Sequence, residues 1–79
     1  ETLIICGVTT EVCVHSTLRE AIDRGFSCVT VRDGCAASNP ALQEAALAMI
    51  AVEGGIFGRV ASTAEIVRGI RTLTDLPVA

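Results

Sequence analysis

The residues best suited to do chemistry in this 79-residue chain lie together near its start, in Gly7-Val8-Thr9-Thr10-Glu11-Val12-Cys13-Val14. The apolar run Thr2-Leu3-Ile4-Ile5-Cys6 leads into this stretch and a helical pattern leaves it, so it joins the carboxyl end of a buried strand to the start of a helix. In open α/β sheets that junction is where ligands bind. With Thr10 read as the N-cap, Cys13 falls at the third helical position. There the helix dipole and the unpaired first-turn amides favour a thiolate, and the same amides can hold the oxyanion formed when that sulfur attacks a carbonyl. From spacing alone a second role is equally open to Cys13, that of a small apolar residue packing the helix against the sheet.

The neighbouring polar side chains have plainer explanations. His15 is two positions from Cys13, and side chains two apart on a helix do not face each other, so a solvent-facing or subunit-contact histidine is expected. Glu11 places negative charge in the first turn, where the dipole favours it. Asp33 before Gly34 reads as a turn-forming residue, and Cys35 as a loop thiol without a role. Gly54-Gly55-Ile56-Phe57 reads as a helix-ending turn followed by a core Phe, and Arg59, Arg68 and Arg71 as a solvated or interface face. The turn at Gly7 lacks the spacing of either glycine-rich phosphate motif.

The elements that must position Cys13 follow from the rest of the pattern. Val14, Leu18 and Ile22 make the inner stripe of the first helix, and Arg19–Asp23 and Glu20–Arg24 are spaced as i,i+4 ion pairs. Gly25 is placed to end that helix. A second strand is predicted over residues 26–32, followed by a loop from Asp33-Gly34 to Asn39, the N-cap of a second helix with Pro40 at its first position. Leu42, Ala45, Ala46, Met49 and Ile50 form that helix's stripe, and Gly54-Gly55 ends it. A short third strand at about 58–61 precedes a third helix, opened by the capping-box pair Ser62 and Glu65. Its inner face is Ile66, Val67, Ile70 and Leu73, and Pro77 closes it. The order is βαβαβα, which right-handed crossovers make into a parallel sheet with flanking helices. The first strand is apolar on both sides with nothing before it to pair with or cover it, so the pattern reads as half of a doubly wound domain.

Composition narrows the function classes. The chain carries a net charge of −3, its six cations are all Arg, and its only aromatics are two Phe, so it lacks the cationic and stacking surface that binds nucleic acid. No apolar run reaches the roughly 18 residues of a membrane span, and no secretory signal pattern is present. Cys6, Cys13, Cys28 and Cys35 show no C-x-x-C spacing, and a single His completes no zinc set. Cys6 and Cys28 lie in strand-like apolar runs, as buried free thiols do. Reduced thiols in a cytoplasmic protein are expected, with no metal and no cofactor.

The segment Gly7-Val8-Thr9-Thr10-Glu11-Val12-Cys13-Val14-His15-Ser16-Thr17-Leu18-Arg19-Glu20-Ala21 resembles the active-site segment of the isochorismatase-like cysteine hydrolases. The resemblance continues through Asp23-Arg24-Gly25-Phe26 and Val31-Arg32-Asp33-Gly34-Cys35 into Gly58-Arg59-Val60-Ala61-Ser62-Thr63-Ala64-Glu65. The wording of the first motif is most similar to the biuret and ureidoacrylate amidohydrolase branch. The resemblance implies a Rossmann-like three-layer fold of which residues 1–79 are the C-terminal half, the N-terminal half being missing. It implies Cys13 as the nucleophile of a Cys-Asp-Lys triad, a cis peptide between Val8 and Thr9, and an oxyanion hole from the Thr9 and Cys13 amides. It further implies hydrolysis of a small C–N amide (biuret, ureido or carbamoyl) through a thiol acyl-enzyme. The triad Asp and Lys of the family lie upstream of this segment, and this sequence contains no lysine, so the chain by itself is expected to be inactive. The expected partners are the small amide substrate, further copies in a homo-oligomer, and the missing N-terminal half. The alternative is a non-catalytic α/β module that self-associates or docks on another chain through its uncovered strand and helix faces.

Overall fold

In the computed structural model, which describes residues 1–74 with side chains through 71, the chain alternates strand and helix. The elements are β1 (Thr2–Val8), a π-helical turn (Thr10–Val14) continuous with α1 (His15–Asp23), β2 (Ser27–Ala36), α2 (Pro40–Gly55), β3 (Arg59–Ala61) and α3 (Thr63–Thr74). The strands form one parallel sheet in the order β1-β2-β3. The expected inward position of Leu73 and the closing role of Pro77 lie outside the described side chains.

Three layers result, because strand side chains alternate between faces. On one face Ile5 and Cys28 pack with Val14, Leu18 and Ala21 from the first helical segment and Leu47 and Ile50 from α2. On the other, Ile4, Val29 and Ala61 lie beneath α3. The expectation that β1 is buried on both faces is not met within this chain. Ile5 alone among its aliphatic residues is buried, while Leu3, Ile4 and Val8 are exposed, as is Cys6, because β1 is an edge strand and α3 leaves its side of the sheet partly open.

Local chemistry sets most element ends. Asn39 caps α2, its Oδ1 accepting the Leu42 N–H at 2.9 Å with Pro40 inside the first turn. Ser62 and Glu65 make a reciprocal capping box at α3, with Glu65 N–H to Ser62 Oγ at 3.1 Å and Ser62 N–H to Glu65 Oε1 at 2.8 Å. Gly25 takes a left-handed φ of 90° after α1. Of the two expected i,i+4 pairs, Glu20–Arg24 forms at 2.9 Å, whereas the Arg19 guanidinium lies over the Phe57 ring, 4.4 Å from its centroid.

The ends of β2 and α2 differ from expectation. β2 runs on to Ala36, and Asp33-Gly34 belongs to an irregularity within it: Ile5 pairs with Thr30 but Gly7 with Cys35. Asp33 does not simply form a turn; its Oδ1 accepts the Thr63 N–H and hydroxyl at 2.8 and 2.9 Å, which fastens the irregularity to the start of α3. The α2 helix breaks before the glycines, at an extended Val52 (ψ 158°) followed by a left-handed Glu53 (φ 53°). Its inner face is Ala46, Leu47 and Ile50, and Leu42 and Met49 are exposed, because a helix apolar nearly all round does not fix its own orientation.

Candidate active site

β1 delivers the chain to the carboxyl edge of the sheet, where Gly7 adopts a φ of 126° and the Val8–Thr9 peptide is cis. The helix that follows begins as a π-turn. The Thr9 carbonyl accepts the N–H of Val12 and of Val14, each at 3.1 Å, the second closing a wide i to i+5 ring. Thr9 is therefore the N-cap residue, in extended conformation and with no capping bond from its own side chain. The expectation of Thr10 as N-cap is corrected by this: Thr10 is the first residue of the turn and is fully buried. Cys13 accordingly sits one place later than expected, fourth in the turn, and its side chain is exposed.

Two side-chain ties hold this elbow against the rest of the fold. The Thr10 hydroxyl donates to Gln43 Oε1 at 2.6 Å, and Gln43 Nε2 donates to the Cys35 and Arg32 carbonyls at 3.3 and 3.5 Å. Glu11 Oε2 accepts the Ser38 N–H at 3.2 Å and the Ser38 hydroxyl at 2.6 Å. These bonds hold the Glu11 carboxyl below its ordinary range, the Ser38 hydroxyl first among them. Glu11 thus anchors the loop before α2 as well as placing charge in the first turn. Gln43 and Ser38 escaped the sequence reading. The available signal was one amide, Gln43, beside Leu42 and Ala45 on an otherwise apolar stripe.

His15 does not face solvent as expected. It is buried, with its ring edge-on to Phe57 at a centroid distance of 6.3 Å. Burial, then the nearby Arg19 charge, lower its proton affinity. Glu11 is bonded to Ser38 and His15 packs on Phe57, so neither is engaged with the Cys13 thiol. All four cysteines are free thiols; Cys28 is buried, and burial raises the pKa of both Cys28 and Cys35. Cys13 lines neither the cleft beneath α3 nor the one between α1 and α2. Among the described residues, no three His, Cys, Asp or Glu side chains converge to hold a metal ion. No helix among them is long and apolar enough to cross a membrane.

Fold and site together define an α/β chain that presents an accessible thiol on a strand-to-helix elbow at the carboxyl edge of a parallel sheet. Residues 1–65 match the isochorismatase domain model, and the chain belongs to the isochorismatase family. It is 26% identical over 68 residues to an uncharacterized isochorismatase family protein, YddQ, of Bacillus subtilis, covering 77% of this chain and 38% of the relative. A cysteine hydrolase from Pseudomonas syringae pv. phaseolicola superposes with a TM-score of 0.80 at 33% identity, covering 90% of this chain and 37% of that one. The nicotinamidase PncA of Bacillus subtilis superposes with a TM-score of 0.70 at 31% identity, over 77% of this chain and 33% of that one. The chain therefore spans 33–38% of the length of these relatives.

Proposed function

We propose that this chain carries the nucleophile segment of a cysteine amidohydrolase that cleaves a small C–N amide through a thiol acyl-enzyme. The observation that carries the reading is the exposed Cys13 in the first helical turn after β1, at the carboxyl edge of the sheet. In the proposed reaction the Cys13 sulfur attacks the amide carbonyl, and the Thr9 and Cys13 amides receive the oxyanion. Ammonia or an amine leaves with a proton, and water then hydrolyses the thioester, releasing the acid and the thiol. An Asp that takes the thiol proton and a Lys that holds the pair come from the part of the relatives' length with no counterpart here. The exposed Ile4 and the apolar cleft of about 490 Å³ beneath α3 offer that part a surface to cover. The neighbouring nicotinamidase and cysteine hydrolase support amide chemistry, and the wording of the Thr9–Ala21 stretch favours biuret, ureido or carbamoyl compounds within it.

A chimera in which residues 1–65 replace the matching segment of the Pseudomonas syringae cysteine hydrolase tests this. Ammonia release from biuret, ureido acids, carbamoyl compounds and nicotinamide is the assay. The reading expects release from at least one ureido-type amide and its loss in Cys13→Ser. A chimera whose amide hydrolysis survives Cys13→Ser refutes it.

A further inference from the structure

The side-chain amide of Gln43 divides its groups between two other elements. Its Oε1 accepts the Thr10 hydroxyl at 2.6 Å, and its Nε2 donates to the Cys35 and Arg32 carbonyls at 3.3 and 3.5 Å. Arg32 and Cys35 flank Asp33-Gly34 in the β2 irregularity, where the register passes from Ile5 opposite Thr30 to Gly7 opposite Cys35. Carbonyls only accept, so the nitrogen end faces β2, the oxygen end faces Thr10, and the Thr10 hydroxyl is the donor. Flipping the amide would set its oxygen against two carbonyls. The amide stands on a fixed base: the Gln43 N–H donates to the Asn39 carbonyl at 3.1 Å in the capped first turn of α2. Its target is fixed as well, since Thr10 is fully buried and opens the π-turn whose fourth residue is Cys13. A lone π-turn is a rare backbone form close to the ordinary α-turn, and a tie at its first residue selects between them.

We propose that Gln43 is a positioning residue for Cys13: by holding Thr10 it fixes the turn in which the Cys13 sulfur and the first-turn amides share one seat. This deepens the reading of Cys13 as a nucleophile and rests on it. Gln43 touches no reacting atom in this role and acts only through Thr10. Cys13 is already exposed, so access does not limit its attack and loosening the turn gains it nothing. What loosening removes is the alignment of the sulfur with the helix dipole and the amides that favour attack. The direction of the effect is thereby set. Without the Gln43 tie, Cys13 reacts more slowly, although a loosened exposed thiol would ordinarily react no slower than before.

The test is iodoacetamide labelling of the native 79-residue chain with site-resolved mass spectrometry, the Cys13 rate being divided by its own rate in urea. Buried Cys28 reports in the same sample whether the fold is intact. Gln43→Met keeps the length of the side chain without its amide. In that variant the Cys13 ratio is expected to fall about fivefold, the factor one net hydrogen bond is worth, while Cys28 stays as protected as in the parent. Thr10→Val is expected to give the same fall, and Thr10→Ser to keep most of the parent ratio. Thr10→Val and Gln43→Met together are expected to fall no further than either alone, because both remove one bond. An unchanged ratio in Gln43→Met, an additive double variant, Thr10→Ser as slow as Thr10→Val, or Cys28 losing its protection along with the fall at Cys13 overturns the inference. A parent Cys13 no faster than in urea refutes the nucleophile reading and the inference with it, whereas a parent lead that survives Gln43→Met refutes the inference alone.

Discussion

Replacing Thr10 by Val tests how the elbow is held. Val keeps the shape of Thr but cannot donate, so Gln43 Oε1 loses the 2.6 Å hydrogen bond from a fully buried hydroxyl. A net hydrogen bond is worth about 1 kcal/mol, and an acceptor stranded without a donor costs about 1–3 kcal/mol. Gln43 is only half-buried and can turn partly to water, so the lower part of that range applies and we expect a loss of about 1–2 kcal/mol. For a domain of this size that is a fall in Tm of about 5–15 °C, readable by circular dichroism or by the urea midpoint. Thr10→Ser, which keeps the donor, should lose less. Thr10→Val and Gln43→Leu together should cost less than their sum, with a coupling of about 1 kcal/mol in the double-mutant cycle. A Thr10→Val variant as stable as the parent, or a Thr10→Ser variant equally damaged, would refute the view that this bond fastens the turn to α2.

Three further outcomes follow from the same structure. The Glu11, Asp33 and Glu65 carboxyls all titrate below their ordinary range in the folded chain because each accepts hydrogen bonds, so their stabilisation is present above about pH 4 and is lost as pH falls through the lowered values. His15, whose folded pKa is also lowered, adds a loss that begins as pH falls below about 6.5. Tm measured against pH should show both steps, the upper one absent in His15→Gln and the lower one shallower in Asp33→Asn. Gly58→Ala should destabilise by more than about 2 kcal/mol, because φ is 94° and a Cβ there would lie 2.2 Å from the Cys28 carbonyl oxygen; thermal melts read this directly. Gly69→Ala, inside α3 with nothing within 4 Å of the added methyl, should instead raise stability by about 0.5–1 kcal/mol on the same assay.

The parts of the fold legible in the sequence are those fixed by neighbours in the chain. Asn39-Pro40, the Ser62/Glu65 box and Gly25 announce their helix ends because each bond spans a few residues. The βαβαβα order follows from the alternation of apolar periods with these signals. What escaped depends on distant partners or on added residues. His15 is buried by Phe57 and Thr10 by Gln43, contacts that no local period encodes. The cap moved to Thr9 because the opening turn is π-helical and takes one more residue than an α-turn. Residues 33–36 look like a loop because Asp33-Gly34 interrupts the apolar run, yet pairing resumes at Cys35 beyond the irregularity. Gly34 fits there because a Cβ would come within 3.0 Å of Val31 and 3.3 Å of Cys6. Of the candidate site, the position of Cys13 was legible from strand, turn and helix start. The Gln43 and Ser38 ties that seat it were not, since both come from the far side of β2.

The account rests on Cys13 being set apart from the other three thiols by its seat on the elbow. Site-resolved alkylation with iodoacetamide at pH 7, followed by mass spectrometry, measures this on the native chain. Cys6 is the informative control, being exposed as Cys13 is but lying on an edge strand. We predict that Cys13 reacts at least about tenfold faster than Cys6, that Cys28 and Cys35 lag behind both, and that the advantage disappears in urea. Native Cys13 reacting no faster than Cys6, or keeping its lead once unfolded, would contradict the account.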